Sequence, residues 1–242
     1  MDPIQTKVII VGATSGIGRR MAEIYAEKGF RVGISGRRQE LLEEIKGQYP
    51  GQVEWECFDV TGTENISKIN SMVQKIGGLD LLIYSSGIGE ISKELDWQLD
   101  KRTVDTNVNG FIQITNWGFN YFANQGHGTL VTISSIASNR GNGWAPAYSA
   151  SKAFQNNYFE GLSIKALKLK KNISIICIEP GFVDTAMAKG KGKFWVVPVD
   201  KAARQMIAGI EKKKRKIYIS KRWWIVAKLM KLIPYFLYKK MG

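Results

Sequence analysis

Tyr148 and Lys152 stand four positions apart in "AYSASK", directly after Pro146. Four residues make about one helical turn, so both side chains project from one face of a helix. Pro146 suits the first turn of that helix, where a missing N–H costs little. The pair has two readings. One is an ordinary helix start, with a lysine stem lying over a tyrosine ring. The other is a tyrosine placed to move a proton. The pair alone does not choose between them; the elements around it must.

Those elements follow a regular pattern. The run "KVIIVGA" (7–13) is short, apolar and β-branched and ends in glycine, as a buried parallel strand does. Apolar positions then recur at helical spacing from Ile17 through Met21, Ile24 and Tyr25 and stop at Gly29. A strand is expected over 30–36, a helix over 38–49 and a strand over 52–60. Next come a helix around 66–76, a strand over 79–87 and a helix around 104–124. The series closes with a strand over 128–135, a helix from 148 to about 170 and a strand over 173–181. Strands alternating with helices imply βαβ units and right-handed crossovers. The expected fold is α/β, a doubly wound parallel sheet of Rossmann type in one domain over 1–210. A basic extension over 211–242 would pack on that domain or on a membrane.

"GATSGIG" joins the first strand to the first helix, with glycines at 12, 16 and 18. Gly12 permits a tight turn, Gly16 lets the backbone approach a pyrophosphate, and Gly18 allows close packing of helix on sheet. The helix N-terminus favours phosphate charge. A plain turn would also use these glycines, but their place between first strand and first helix favours a dinucleotide. The second strand ends in "SGRRQE", where a carboxylate would grip a ribose 2′-OH. Arg37 and Arg38 stand there instead and suit a 2′-phosphate through charge-assisted bonds. NADP(H) is therefore expected over NAD(H).

Ser134 and Ser135 end the strand before Tyr148, and Asn107 lies in the helix after "SSGIG". In "GATSGIG", Asp59, "SSG", Asn107, Ser135, "YSASK" and "PGFVDT", in that order, the chain resembles the short-chain dehydrogenase/reductase family in its most common subclass. The resemblance implies that Tyr148 is the general acid that protonates a carbonyl oxygen as hydride arrives, or the base in reverse. The Lys152 ammonium and the oxidised nicotinamide would lower the phenol from its ordinary pKa of about 10. Lys152 would also bind the nicotinamide ribose, Ser135 would hydrogen-bond the substrate oxygen, and Asn107 would hold a water linking Lys152 to solvent. For the cofactor, the resemblance implies contacts from Gly12, Thr14, Ser15, Gly16, Ile17 and Gly18, and from Ser85, Ser86 and Gly87. Asp59 and Val60 would contact the adenine ring; Pro180, Gly181, Val183 and Thr185 would hold the nicotinamide. No metal is called for. Val11 replaces the usual threonine before the glycine motif, and Tyr84, Ser85 and Ser86 replace the first three residues of the family's Asn-Asn-Ala-Gly.

Composition bounds the partners. The chain has 242 residues and a formal net charge of +14. Residues 211–242 hold eleven Lys/Arg and one Glu, so the body is nearly balanced and the tail is basic. That argues against nucleic acid and directs attention to what the tail touches. Cys57 and Cys177 read as buried thiols in a reducing, cytoplasmic setting; no signal peptide is visible in "MDPIQTKVIIVGA". Between Thr185 and Pro198, Gly190 and Gly192 alternate with Lys189, Lys191 and Lys193, which resembles the family's mobile substrate lid. After "KKKRK" (212–216) and a strand-like "IYIS", residues 223–238 are apolar except for Lys228 and Lys231, too short a run to span a bilayer. Lys221, Lys228 and Lys231 fall near one helix face, with Trp224, Ile225, Leu229, Leu232 and Ile233 on the others. That pattern fits an interfacial membrane helix, or equally a cap on the pocket or a subunit contact. The expected activity is NADPH-dependent reduction of an apolar or acyl-chain carbonyl by a homodimer or homotetramer. Alcohol oxidation, a non-catalytic NADP(H) sensor and a membrane scaffold are the alternatives.

Overall fold

A computed structural model describes residues 6–91, 94–187 and 194–240. Seven strands form one parallel sheet in the order β3-β2-β1-β4-β5-β6-β7. They are β1 (Lys7–Val11), β2 (Arg31–Gly36), β3 (Val53–Cys57), β4 (Leu81–Tyr84), β5 (His127–Ile133), β6 (Asn172–Pro180) and β7 (Lys216–Ile219). The helices between them are α1 (Gly16–Glu27), α2 (Gln39–Gln48), α3 (Asn65–Ile76), α4 (Trp97–Val104), α5 (Phe111–Gln125), α6 (Pro146–Lys168) and α7 (Val199–Glu211). α8 (Trp223–Leu232) and the single turn α9 (Tyr235–Tyr238) close the chain.

The central strands β1 and β4 are apolar on both faces because both faces are covered. Val8 and Ile10 of β1 join one core with Met21 and Ile24 of α1, Leu42 of α2 and Met206 of α7. Ile9 and Val11 join the other with Met72 of α3, Phe111 and Phe122 of α5 and Phe159 of α6. The chain runs outward from β1 to β3 and then crosses to β4, so the winding reverses between β1 and β4. A crevice outside the strand C-termini at such a point is where a doubly wound sheet binds ligands.

Four readings of the sequence are corrected. The expected helix at 104–124 begins earlier, as α4, and passes through a π-helical segment, Asp105–Gly110, before α5. α7 is an addition to the expected elements, although Ala202, Ala203, Met206, Ile207 and Ile210 bury one face at helical spacing. The sheet also runs past the expected boundary at 210, since β7 pairs with β6 from Cys177↔Lys216 to Pro180↔Ile219. Cys177 is buried, whereas Cys57 is only half-buried.

β7 brings a charge to the sheet. Glu179 of β6 is fully buried and accepts from Lys216 Nζ (2.5 Å), Asn156 Nδ2 (2.6 Å) and Asn139 Nδ2 (3.0 Å). Burial works to lower the Lys216 pKa, but Glu179 outweighs it and the net shift is upward. Removing one partner of an enclosed pair costs about 3–5 kcal/mol. The Lys216 side chain is 32% exposed, so Lys216→Met is expected to cost about 2 kcal/mol of stability, measured by urea unfolding. No loss would show that the two amides alone satisfy Glu179.

Candidate active site

The glycine loop sits at the reversal point. Gly12 has φ +89°, and a Cβ there would stand 2.6 Å from Ser86 N, so only glycine fits between β1 and the end of β4. Gly12 N and Ala13 N donate to Ser35 O (2.9 and 2.8 Å), and Ser85 N donates to Val11 O (2.8 Å). Val11, in the place of the family's threonine, is fully buried. A Cβ on Gly18 would lie 2.2 Å from Gly12 O, which sets how closely α1 approaches the strand. Across the loop, the Thr185 methyl would stand 3.5 Å from a Cβ on Gly16. A residue expected beside the pyrophosphate and one expected beside the nicotinamide therefore face each other.

The cradle suits a pyrophosphate. Ser15 is the N-cap of α1, but its side chain makes no cap hydrogen bond, leaving first-turn N–H groups for an anion. Its Oγ instead accepts from Arg38 Nη2 (2.8 Å), which also donates to Thr14 Oγ1 (2.7 Å). Arg38 thus lies over the loop. Arg37 Nη1 is 3.6 Å from Asp59 Oδ2, and both side chains are largely exposed. Asp59 Oδ1 accepts from Thr61 N and Oγ1, each at 2.9 Å, and Val60 O accepts from Asn65 Nδ2 (2.9 Å). Ile17 is partly buried against the core.

The second half of the site faces the loop after β4. A Cβ on Gly89 would stand 2.4 Å from the Tyr148 ring, and one on Gly87 would stand 3.3 Å from Lys152 Nζ and 3.4 Å from Asn107 Oδ1. Asn107 is fully buried; its Oδ1 accepts from Ile88 N (2.9 Å), and its Nδ2 donates to Ile88 O (2.7 Å) and Ser151 Oγ (3.0 Å). Ser134 Oγ donates to Lys152 O (3.1 Å) and fixes α6 against β5. Lys152 Nζ lies 5.8 Å from the Tyr148 ring centre. It donates to Ile133 O and Gln155 Oε1, both at 3.1 Å. Ser135 Oγ accepts from Ala137 N (3.1 Å), and its hydroxyl works to lower the Tyr148 phenol.

Electrostatics here follow burial. Lys152 is brought down to about 8 because its ammonium is desolvated. Tyr148 is raised above its ordinary value by burial, with the Ser135 hydrogen bond working the other way. Burial therefore shifts the phenol opposite to the lowering expected from Lys152. The ammonium is turned to Ile133 and Gln155, so desolvation wins.

Residues 6–194 match the family described as short chain dehydrogenase. The chain belongs to that family. This short chain dehydrogenase is accordingly an oxidoreductase, and the family binds a nicotinamide dinucleotide. An uncharacterized oxidoreductase of Mycobacterium tuberculosis (strain ATCC 25618 / H37Rv) is 30% identical over 237 residues, covering 94% of this chain and 92% of its own length. One of Myxococcus xanthus (strain DK1622) is 32% identical over 185 residues, 74% and 72% of the two chains. A short chain dehydrogenase from Bacillus anthracis superposes with a TM-score of 0.79 at 23% identity, over 89% of this chain and 95% of that one. One from Streptomyces avermitilis superposes with a TM-score of 0.78 at 24% identity, over 88% of each. At those identities the two structures speak for the fold alone.

Three features of this dehydrogenase escape sequence reasoning. Gln155, fully buried one turn beyond Lys152, accepts from Lys152 Nζ and donates through Nε2 to Asn107 O (2.9 Å). It ties the lysine to the π-helical segment where a water is expected. Tyr84, which departs from the family motif, donates its buried hydroxyl to Thr106 O (2.8 Å) and braces that segment from β4. Trp223 lies so close to Gly181 that a Cβ there would be 2.0 Å from its ring. Pro180 ends β6, Gly181 N donates to Ile219 O (2.7 Å), and Val183 is buried and bridges Val197. Lys189, Lys191 and Lys193, with Gly190 and Gly192, lie outside the described residues. No group of three or more His, Cys, Asp or Glu among the described residues is placed to hold a metal.

Proposed function

We propose that this dehydrogenase is an NADPH-dependent carbonyl reductase acting on an apolar or acyl-chain ketone or aldehyde, with the reverse oxidation open to it. The convergence of Tyr148, Ser135, Lys152 and Asn107 behind the Gly87–Gly89 loop, beside the glycine cradle, carries this reading. Arg37 and Arg38 would hold the 2′-phosphate, the cradle the pyrophosphate, and Gly181 through Thr185 the nicotinamide. Bound there, the dinucleotide supplies the hydride. The chain supplies the rest. The Ser135 and Tyr148 hydroxyls would both point at the substrate oxygen and stabilise the negative charge that grows on it. Tyr148 then gives that oxygen its proton, and the Lys152 ammonium stabilises the phenolate left behind. A phenol raised by burial stays protonated at neutral pH, the form that can give up a proton in the reductive direction.

NADPH consumption, followed by absorbance against a panel of ketones and 3-oxoacyl thioesters, tests the proposal. Binding of NADPH without turnover of any member would favour the sensor reading. The proposal extends to assembly as a dimer or tetramer through α5 and α6, supported by the exposed Ile164 and Leu167, and to peripheral membrane contact through the tail. Among the described residues no helix is long and apolar enough to cross a membrane.

A pH prediction follows from Gln155. Lys152 is charged below about 8 and neutral above it, so phenolate stabilisation should fade on that alkaline limb. Gln155→Glu places an opposite charge on the ammonium and is expected to move the limb of kcat/KM upward by about one unit or more. Gln155→Leu, which removes an acceptor of the charged form, should move it downward. Tyr148 and Cys177 are the titratable groups that face Lys152, and burial pushes the Cys177 thiol up to about 12, so neither charges in this range. Unmoved profiles in both variants would leave Gln155 a packing role only.

A further inference from the structure

The tail turns its apolar side outward. Trp223 and Ala227 are the buried residues of α8. The side chains left in water are Trp224 (51% exposed), Ile225 (52%), Leu229 (54%) and Leu232 (77%) on α8, and Tyr235 (74%) and Phe236 (61%) on α9. Lys221, Arg222, Lys228, Lys231, Lys239 and Lys240 are interleaved with them, and no acid occurs after Glu211. Beneath α8, a cavity of about 630 Å³ opens against α6 and β7, and Arg215, Lys216, Lys228, Lys231 and Trp224 contribute to its wall. Lys216 is held by Glu179 and Arg215 weakly by Glu160 at 3.8 Å. The α8 lysines that line the cavity make no ion pair among the described residues.

The tail is also fastened to the mouth of the candidate site. Tyr238 Oη donates to Gly141 O (2.6 Å), and the Arg140 guanidinium lies 4.5 Å over the Tyr238 ring. The Trp223 ring packs on Phe182 (5.5 Å), Phe194 (5.0 Å) and Trp195 (6.0 Å). Residues 140–141 follow β5, and Phe182, Phe194 and Trp195 follow β6, so the tail joins chain segments after two strands at the ligand-binding edge of the sheet. Phe194, Trp195 and Trp144 on those loops are themselves about half exposed.

We propose that α8 and α9 are an anionic-bilayer docking face, with the acyl region taking Trp224, Ile225, Leu229, Leu232 and Phe236 and a lipid phosphate entering the cavity beside Lys228 and Lys231. The inference deepens the peripheral contact named above. Charge complementarity selects this occupant. Two copies meeting through this face would oppose tails that each carry a large positive charge, whereas an anionic surface attracts each cation. Aromatic and aliphatic side chains flanked by lysines, as Trp224 is by Lys228 and Lys231 and Leu229 by Lys228, are what an interfacial helix buries. Docking would hold the loops after β5 and β6 at the membrane, so an apolar carbonyl compound would reach Tyr148 from the lipid phase.

Flotation of the full chain with phosphatidylcholine vesicles, with and without phosphatidylglycerol, tests this. Binding is expected only with the anionic lipid, and it should be lost at high salt. Lys228→Glu with Lys231→Glu should weaken it about 100-fold or more, since each cation near an anionic surface contributes about a factor of five to ten. Trp224→Ala with Leu229→Ala, both at exposed positions, should weaken it by the apolar route. Tyr148→Phe should float like the wild type, so the result stands whether or not the enzyme reading holds. Absence of flotation at low salt, equal binding to neutral vesicles, or a charge-reversed protein that floats unchanged would overturn the proposal. So would inorganic phosphate protecting the cavity lysines from acylation in a protein that never floats, or a dimer that these substitutions dissociate without any vesicle binding.

Discussion

Tyr148→Phe is expected to lower turnover by about 10²–10⁴-fold, the range for losing one positioned general acid, while leaving NADPH affinity within about twofold of the wild type. The substitution removes only an oxygen. The ring keeps its place against Gly89, where even a Cβ would be 2.4 Å away, so the fold has no reason to change. What disappears is the proton that must reach the substrate oxygen. Turnover and cofactor binding are read separately, by absorbance and by NADPH fluorescence. Activity near wild type would mean that another group supplies the proton.

Arg37→Ala together with Arg38→Ala is expected to raise the NADPH dissociation constant by about 10²–10⁴-fold, at about 1.5–3 kcal/mol for each of the two charge-assisted hydrogen bonds removed. NADH should change by no more than about threefold. The asymmetry is the informative part, because only one of the two dinucleotides carries a 2′-phosphate. Arg38 is already aligned across Thr14 and Ser15, so it gives up little freedom on binding. Arg37 is poised beside Asp59 and must exchange a weak exposed ion pair for the phosphate. Equal effects on the two dinucleotides would overturn the choice of NADPH.

Much of this site can be read from local signals. β1, the glycine loop and α1 announce themselves through a change of period and the glycines at the turn. "AYSASK" places Tyr148 and Lys152 on one face of α6 with only Pro146 and helical spacing as guides. Other parts depend on neighbours that no local window contains. α7 has a clear helical signature in Ala202, Met206, Ile207 and Ile210, within reach of the same periodicity argument. Gln155 is different, because its meaning lies in Asn107 O, 48 residues away. The same holds for Tyr84 and Thr106. The direction of the Tyr148 shift escapes the sequence because spacing reports who is near, and not how far water has been excluded. The tail's lysines and apolar residues sort onto faces by periodicity, yet which face meets the protein is decided by Trp223 against Gly181.

That last packing has a consequence for how the protein is made. Gly181 and its neighbours leave the ribosome long before Trp223, and until the indole arrives they lack one wall. A nascent chain should therefore be unable to close its cofactor groove until Trp223 has been made, and a nonsense codon just upstream of it would yield a chain with all seven strands and an open groove.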